Sequence, residues 1–231
     1  MPTVKSMTEI LKEEWLEVYR NRNAIWIHDG NSKRPHALLT SGMHSDGFCN
    51  TNRVAENPST YEKAVCDLLK VFALHGGNTE NVDRVVGPAM GAITLAYIMA
   101  LNINYSRPQP SCLCGYTEKG NSAVSKRMVF TKMPIEAGER VLVVEDVTTT
   151  GESAHLTAIA VEEAGGIALP FVLTLVNRSG LEEIHGRKII ALINQHMQTW
   201  TKEECPLCKR GGSEALAPKS AENWKHLNAQ Y

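Results

Sequence analysis

RVLVVEDVTTTGES, residues 140–153, is the stretch of sequence that decides the fold. Val141 to Val144 form a continuous apolar run, which is typical of a central strand in a parallel sheet. The acidic residues Glu145 and Asp146 follow, and Thr148 to Gly151 form a hydroxyl-rich turn that opens a helix. Ligands bind beyond the carboxyl ends of such strands, so the pattern predicts a binding site at the acidic pair and the turn.

The turn and the acidic pair suit different parts of one ligand. Backbone N–H groups and hydroxyls at the start of a helix form a cup for a phosphate, helped by the helix dipole. Carboxylates repel phosphate, but they accept hydrogen bonds from vicinal hydroxyls. A ribose 5-phosphate meets both requirements. The alternative is an acidic strand end followed by a capped helix without a ligand. The glycine-lysine loop of nucleotide hydrolases is absent, which leaves an ATPase without support.

Around this stretch, predicted strands and helices alternate from about residue 60 to residue 195. That order favours an α/β fold in which a parallel sheet carries helices on both faces. The segments before and after it fall outside the pattern and are expected to form a cap together. The last 30 residues are rich in Gly, Lys and Pro and are predicted to be irregular.

Composition limits the classes of protein that the chain can belong to. With 231 residues, of which 43% are hydrophobic, it suits one domain with a sizeable core. The formal net charge of −1 provides no bulk field for nucleic acid or an anionic membrane, so neither is expected as a partner. No apolar run approaches the roughly 20 residues that span a bilayer. The N-terminal segment has no signal-peptide core, and a cytoplasmic location is expected.

Several stretches resemble one enzyme family. VLVVEDVTTTGES closely resembles the phosphoribosyl pyrophosphate (PRPP) signature of type I phosphoribosyltransferases. ALLTSGMHSDGF (37–48), VVGPAMGAITLAY (85–97) and LVNRSG (175–180) resemble segments of orotate phosphoribosyltransferases. ECPLCKRGGSEALAPKS (204–220) resembles the tail of the bacterial branch typified by Thermus enzymes.

The resemblance implies the type I phosphoribosyltransferase fold, a parallel sheet flanked by helices with a small hood made from the N- and C-terminal segments. We therefore predict an N-terminal helix and hood segment over 1–57, a PRPP-binding α/β core over 58–195 and a C-terminal hood or tail segment over 196–231. The resemblance also implies a homodimer that transfers the phosphoribosyl group of PRPP to orotate. The Mg²⁺ ion that it implies is held through PRPP, rather than by direct protein ligands.

The resemblance also implies a set of residues for each substrate. For PRPP they are Glu145, Asp146, Val147, Thr148, Thr149, Thr150, Gly151, Glu152 and Ser153, together with Pro88, Ala89, Met90 and Gly91. For orotate they are Thr149, Arg178, Ser41, Gly42 and Phe48. Each set has a simpler explanation in the fold: a turn without a ligand, a surface cation at a strand end, or ordinary packing of the cap.

The hairpin at 116–127 departs from the mobile loop of the best-known orotate enzymes, which carries several Lys or Arg and a histidine. Lys119 and Arg127 are the predicted cations for the pyrophosphate and, with Asp146, the predicted catalytic residues. The alternative is a solvated hairpin. Thr40 and Gly91 also stand where many orotate enzymes have lysines. These two differences count more against orotate as the acceptor base than against binding of PRPP.

Four of the six cysteines are spaced as two pairs that could bind a metal. Cys205-x-x-Cys208 has a metal-ligand spacing, and Cys112-x-Cys114 could supply two more thiolates for a zinc site. The alternative is two packed thiol pairs.

Two other functions stay open at this stage. One keeps the PRPP site and changes the acceptor to another base. The other is a non-catalytic PRPP-sensing regulator of nucleic acid, against which the near-neutral charge counts.

Overall fold

A computed structural model of the chain describes residues 4–120, 126–209 and 213–231. Its helices are α1 Val4–Asn21, α2 Asn52–Ala55, α3 Pro58–Leu74, α4 Ile93–Tyr105, α5 Glu152–Glu163, α6 Pro206–Lys209 and α7 Ala221–Leu227. Its strands are β1 Ile25–Ile27, β2 His36–Leu38, β3 His44–Ser45, β4 Gly47–Cys49, β5 Arg84–Pro88, β6 Leu113–Lys119, β7 Met128–Val129, β8 Arg140–Thr148, β9 Ile167–Asn177, β10 Glu183–Ile184, β11 Arg187–Asn194, β12 Thr199–Trp200 and β13 Ala215–Leu216.

The main sheet has seven strands in the order β10-β11-β9-β8-β5-β6-β7. The five inner strands run parallel, and the two short edge strands are antiparallel to their neighbours. Parallel neighbours need crossover connections, which α4 provides between β5 and β6 and α5 provides between β8 and β9. This arrangement confirms the predicted α/β fold.

The apolar run of β8 divides its side chains between the two faces of the sheet. Leu142 and Val144 belong to the large core cluster, which also contains Trp15 of α1 and Leu68 of α3. Val143 belongs to a smaller cluster with residues of α5 and β9. Successive strand residues point to opposite faces, and helices cover both faces. A continuous apolar run is therefore what this central strand requires.

A second, smaller sheet has the order β12-β3-β2-β13 and joins the two ends of the chain. Strands β2 and β3 come from the N-terminal segment, and β12 and β13 come from the tail. Five apolar side chains pack as its hydrophobic cluster: Trp26, Ala37, Phe48, Leu216 and Leu227. The predicted hood made from both terminal segments is thus confirmed.

The prediction of an irregular tail is wrong, because the last 30 residues contain α6, β13 and α7. Helix α7 begins where the side chain of Ser220 accepts a hydrogen bond from the Asn223 N–H. Elements of two to seven residues are too short for a periodic apolar pattern to reveal them.

Helix α1 packs on the main core, since Trp15, Leu16 and Tyr19 are buried there. The division of the chain into segments 1–57, 58–195 and 196–231 stays a prediction. Among the helices of the described ranges, none has the length and apolar character needed to cross a membrane.

Candidate active site

The acidic pair lies inside strand β8 and not beyond its end. Strand β8 continues to Thr148, where Glu145 pairs with Thr174 and Thr148 pairs with Asn177. The strand is longer than its apolar run predicts because β9, with 11 residues, extends beside it and satisfies the backbone of residues 145–148.

Asp146 is half-buried and lines a cavity near the carboxyl end of β8. Its Oδ2 accepts a hydrogen bond from the Thr51 hydroxyl at 2.8 Å. A Cβ atom added at Gly91 would lie 2.7 Å from the same oxygen, so the loop after β5 approaches the Asp146 carboxylate closely. Only a residue without a side chain permits this approach. The predicted pyrophosphate loop and the acidic pair are therefore brought together.

Glu145 points to the other face and is buried. Burial raises the pKa of its carboxyl well above the ordinary value, and the charge of Asp146 raises that pKa further. Its Oε1 accepts a hydrogen bond from the Asp146 N–H at 3.2 Å. Of the two predicted acidic contacts, Asp146 lines the neighbouring cavity and Glu145 does not.

The cavity, of about 980 Å³, lies between the carboxyl ends of β8 and β9 and the hood. Seven predicted site residues line it: Asp146, Val147, Thr149, Thr150, Arg178, Ser41 and Phe48. The motifs at 37–48, 140–153 and 175–180, which are separate along the chain, thus meet at one site.

The turn after β8 has the backbone of a phosphate cup. Thr149 and Thr150 are exposed, and Gly151, the N-cap of α5, has a φ of +79°. A Cβ atom at Gly151 would also lie 2.6 Å from Ile184, so this position requires glycine on both counts. Glu152 and Ser153 are exposed in the first turn of α5, whereas Thr148 is buried with an unpaired hydroxyl.

The loop after β5 turns tightly at the edge of this site. A Cβ atom at Gly87 would lie 2.6 Å from the Ala92 side chain, and the Ala89 N–H donates to the Thr117 carbonyl at 2.7 Å. Pro88 ends the strand, and Met90 is 84% exposed. The peptide bond between Ala89 and Met90 is cis.

Arg178 is a buried cation, not a surface one. It follows β9, and only 5% of its surface is exposed. Its Nη2 donates to Ser45 Oγ at 2.9 Å and to the Gly47 carbonyl at 3.4 Å. Burial lowers the pKa of its guanidinium, which stays charged because an arginine starts from so high a value. Within the described residues Nε and Nη1 have no hydrogen-bond partner, so they are available to a ligand in the cavity.

The hood contributes the opposite wall. Ser41 and Gly42 form the turn between β2 and β3, and Gly42 has a φ of +82°. Thr40 and Ser41 line the cavity, whereas Gly42 does not. Phe48 lines the cavity and also packs edge-on against Trp224, with ring centroids 6.2 Å apart.

Comparisons with known proteins agree with this geometry. No family model matches the chain. An orotate phosphoribosyltransferase of Caldicellulosiruptor bescii is 32% identical over 200 residues, covering 87% of this chain and 93% of the relative. One of Thermus thermophilus is 34% identical over 198 residues, covering 85% of this chain and 95% of the relative. The chain belongs to the orotate phosphoribosyltransferase family.

A crystal structure supports the same fold. The orotate phosphoribosyltransferase of Aeropyrum pernix superposes with a TM-score of 0.55 at 25% identity, covering 77% of this chain and 91% of that one. The resemblance found in the sequence is thereby confirmed, including the likeness to a Thermus enzyme.

Lys119 and Arg127, the cations predicted for the hairpin, are not part of the cavity lining. Lys119 is exposed at the end of β6. Arg127 makes an ion pair of 2.9 Å with Glu163 of α5, and Lys126 makes one with Glu152. Residues 121–125 of the predicted hairpin lie outside the described residues.

The predicted four-cysteine zinc site is wrong in one of its pairs. Cys112 and Cys114 lie at the start of β6, where Cys114 pairs with Val85, and burial raises the pKa of Cys112 to about 11. This is the amino end of the parallel strands, whereas the hood covers their carboxyl end. Cys205 and Cys208 belong to the hood and meet two histidines there.

Other residues of the cavity wall carry no motif in the sequence. Thr51, the partner of Asp146, was not predicted. Nor were several residues of the tail, which are His196, Gln198, Trp200 and Lys219. The tail reaches the cavity through β12, a strand of two residues whose place depends on its pairing with β3. A local pattern cannot indicate such a contact.

Proposed function

We propose that this chain transfers the 5-phosphoribosyl group of PRPP to orotate, which gives orotidine 5′-monophosphate and pyrophosphate, a step of pyrimidine biosynthesis. A bond forms between C1′ of the ribose and a ring nitrogen of orotate, whose proton is released, and the bond from C1′ to the pyrophosphate oxygen breaks with its electron pair leaving on the pyrophosphate. The observation that carries the proposal is the common cavity of Asp146, the Thr149–Thr150 turn and Arg178, in a member of this family.

In this proposal PRPP lies along the carboxyl end of β8. The Asp146 carboxylate accepts hydrogen bonds from the ribose hydroxyls, and the turn with the first N–H groups of α5 holds the 5′-phosphate. The loop at Pro88–Gly91 offers backbone groups to the pyrophosphate. Glu145 lies on the buried face and outside the cavity lining, so Asp146 carries the ribose contact in this proposal.

Orotate then lies between the hood and Arg178. The free Nε and Nη1 groups of Arg178 suit its carboxylate or a neighbouring carbonyl, since a guanidinium pairs well with planar anions. Thr149, Ser41 and Phe48 border the same space. Gly42 shapes the turn that carries Ser41.

Mg²⁺ fits this site. The Asp146 carboxylate and the Thr51 hydroxyl place oxygen atoms beside the position proposed for the ribose, which suits a Mg²⁺ ion carried by PRPP, and Gly91 has no side chain to fill the space beside Asp146. When bound with PRPP, the ion would offset charge on the pyrophosphate. The protein's own part is positioning of the two substrates and stabilisation of the charge of the departing pyrophosphate, for which Lys119 and Arg127 are the proposed cations.

The experiment is an assay of the purified full chain with PRPP, Mg²⁺ and orotate, followed by the loss of orotate absorbance. Uracil, adenine, hypoxanthine and guanine run in parallel, and Asp146→Asn is the inactive control. Turnover with orotate alone supports the proposal. Turnover with a different base would keep the PRPP site and contradict the role of Arg178, and no turnover with any base would contradict the activity.

We also propose a homodimer in the cytoplasm, as the resemblance implies. Light scattering at several protein concentrations tests the dimer, and a monomer at every concentration would contradict it.

A further inference from the structure

Four side chains in the hood converge on one point. His36 of β2, His44 of β3, Cys205 just before α6 and Cys208 within α6 each offer one ligand atom, and these atoms all lie within 4.8 Å of one another. His36 and Cys205 are fully buried, and His44 is nearly so. In the described part of the chain, no other group of three or more His, Cys, Asp or Glu side chains converges in this way.

The protonation of His36 depends on a neighbour. The Ser213 hydroxyl lies 3.2 Å from the Leu207 carbonyl, to which it can donate, and 2.9 Å from His36 Nδ1, from which it accepts in the tautomer protonated at Nδ1. In that tautomer His36 Nε2 carries a lone pair, and it faces the other three side chains. Metal-binding histidines are commonly oriented by such a hydrogen bond from the other ring nitrogen.

Hydrogen bonding alone does not satisfy this arrangement. His44 Nδ1 lies 2.8 Å from His36 Nε2, and the sulfurs of Cys205 and Cys208 each lie 3.5 Å from it. The nitrogen has one in-plane lone pair, which accepts one good hydrogen bond. Three groups approach it, and Cys208 Sγ also lies 3.3 Å from His44 Nδ1.

A tetrahedral metal ion accounts for the three nitrogen–sulfur distances. Zinc binds nitrogen at about 2.0 Å and thiolate sulfur at about 2.3 Å, which places neighbouring nitrogen and sulfur ligands about 3.5 Å apart. The three nitrogen–sulfur distances of 3.3–3.5 Å fit that value. Both cysteines are free thiols, so a disulfide does not compete for them.

We infer that His36, His44, Cys205 and Cys208 form a closed zinc site that joins the tail to the N-terminal part of the hood. Two histidines and two thiolates complete a tetrahedron and leave no position open for a substrate, which is typical of a structural zinc site. The inference does not depend on the proposed reaction.

The position of the site indicates a structural role in the hood. Strands β2, β3 and β13 have three, two and two residues, too few to hold a sheet by pairing alone. The turn that carries Ser41 runs directly from β2 to β3, between the two histidines. A metal at this point would fix the cavity wall that this turn provides.

The test begins with the metal content of the untagged full chain, produced with zinc in the medium and purified without chelator. Mass spectrometry should find about one zinc ion per chain, because a closed thiolate site retains its metal. Less than about 0.2 zinc per chain, with no uptake from a zinc buffer, would overturn the inference.

Paired variants then locate the ion. Cys205→Ser with Cys208→Ser should lose the zinc, and Cys112→Ser with Cys114→Ser, the matched control, should retain it. Zinc retained by the first pair would overturn the assignment of ligands. Amides of β2, β3 and β13 should exchange faster when zinc is removed from the wild-type chain, while those of β8 should not change.

A spectroscopic measurement covers the case in which the first variant does not fold. Cobalt titrated into the zinc-depleted wild-type chain should produce a thiolate-to-cobalt absorption band that saturates at about one equivalent, with the visible bands of a tetrahedral ion. Cobalt at an oxygen-rich substrate site would lack the thiolate band. Its absence would therefore overturn the inference.

Discussion

Arg178 is the residue that we propose to select the base. A buried cation is costly unless neighbours satisfy it, and here Ser45 and Gly47 accept hydrogen bonds from one nitrogen only. These two contacts orient the guanidinium, and the rest of it faces a cavity. Such an arrangement suits an anionic ligand that supplies the missing partners.

We expect Arg178→Ala to raise the KM for orotate about 10- to 100-fold, since one or two hydrogen bonds to a charged group contribute about 1.5–3 kcal/mol. The KM for PRPP should change far less. Steady-state kinetics with each substrate varied in turn measures both values.

Arg187→Ala is the matched control, because Arg187 lies in β11 and pairs with Glu162 outside the cavity. Thermal unfolding of both variants shows whether loss of the Ser45 contact destabilises the hood. Equal increases in the KM of both substrates for Arg178→Ala would rule out a role specific to the base.

Among single residues, the sequence predicts those that belong to a motif and misses those that a distant segment supplies. Asp146 and Arg178 come just after apolar runs that reveal their strands. Thr51 and His36 meet their partners only through tertiary contacts, with Asp146 and Cys205. Nothing local distinguishes them from an ordinary threonine or a packed histidine.

Among the elements, the hairpin of β6 and β7 carries the cations that we propose for the pyrophosphate. It is attached to α5 by the pairs Lys126–Glu152 and Arg127–Glu163. In the second pair the side chains are 58% and 50% exposed. Exposed ion pairs contribute about 0–1 kcal/mol, so Arg127 can leave Glu163 for a phosphate at little cost.

Arg127→Ala should therefore lower kcat about 10-fold or more with little change in Tm, because a cation that stabilises departing charge is lost. Glu163→Gln should leave kcat unchanged or raise it, since it only releases Arg127. Lys119→Ala should resemble Arg127→Ala, and Lys126→Ala is the control. If Glu163→Gln loses as much activity as Arg127→Ala, the ion pair has a structural role and Arg127 is not the catalytic cation.

The length of an element was harder to predict than its presence. Strand β8 was predicted from four apolar residues, and it runs to Thr148 because β9 pairs with the polar residues as well. The hood strands of two or three residues exist only because neighbouring segments pair with them. Their composition carries no comparable signal.

Across the whole molecule, two glutamates oppose each other in their effect on stability. Glu139 accepts hydrogen bonds from Arg84 at 2.8 and 2.9 Å, which lowers its pKa although burial opposes the change. Burial beside Asp146 raises the pKa of Glu145 well above its ordinary value. One carboxylate stabilises the fold when ionised, and the other destabilises it.

The two pKa shifts have opposite signs, so the two glutamates give the stability of the fold opposite pH dependences. A lowered pKa means that Glu139 contributes stability above its unfolded pKa of about 4.3 and that this contribution is lost as the pH falls through the folded pKa. A raised pKa means that Glu145 costs stability, and that the cost grows as the pH rises from about 4.3 to its folded pKa. Site residues can carry such a cost where binding requires their charge.

Two matched substitutions separate these effects. At pH 8, Glu139→Gln should lower the free energy of unfolding by about 2 kcal/mol, a fall in Tm of about 4–8 °C, because Arg84 loses a charged partner. Glu145→Gln should raise Tm at pH 8, because the amide carries no charge to bury. Both differences from wild type should shrink as the pH approaches 4, where the two carboxyls become protonated in the unfolded chain. Thermal unfolding of the three proteins from pH 4 to pH 8 measures them. A Glu145→Gln variant that is less stable than wild type at pH 8 would mean that the Glu145 carboxylate is ionised and well solvated in the folded protein.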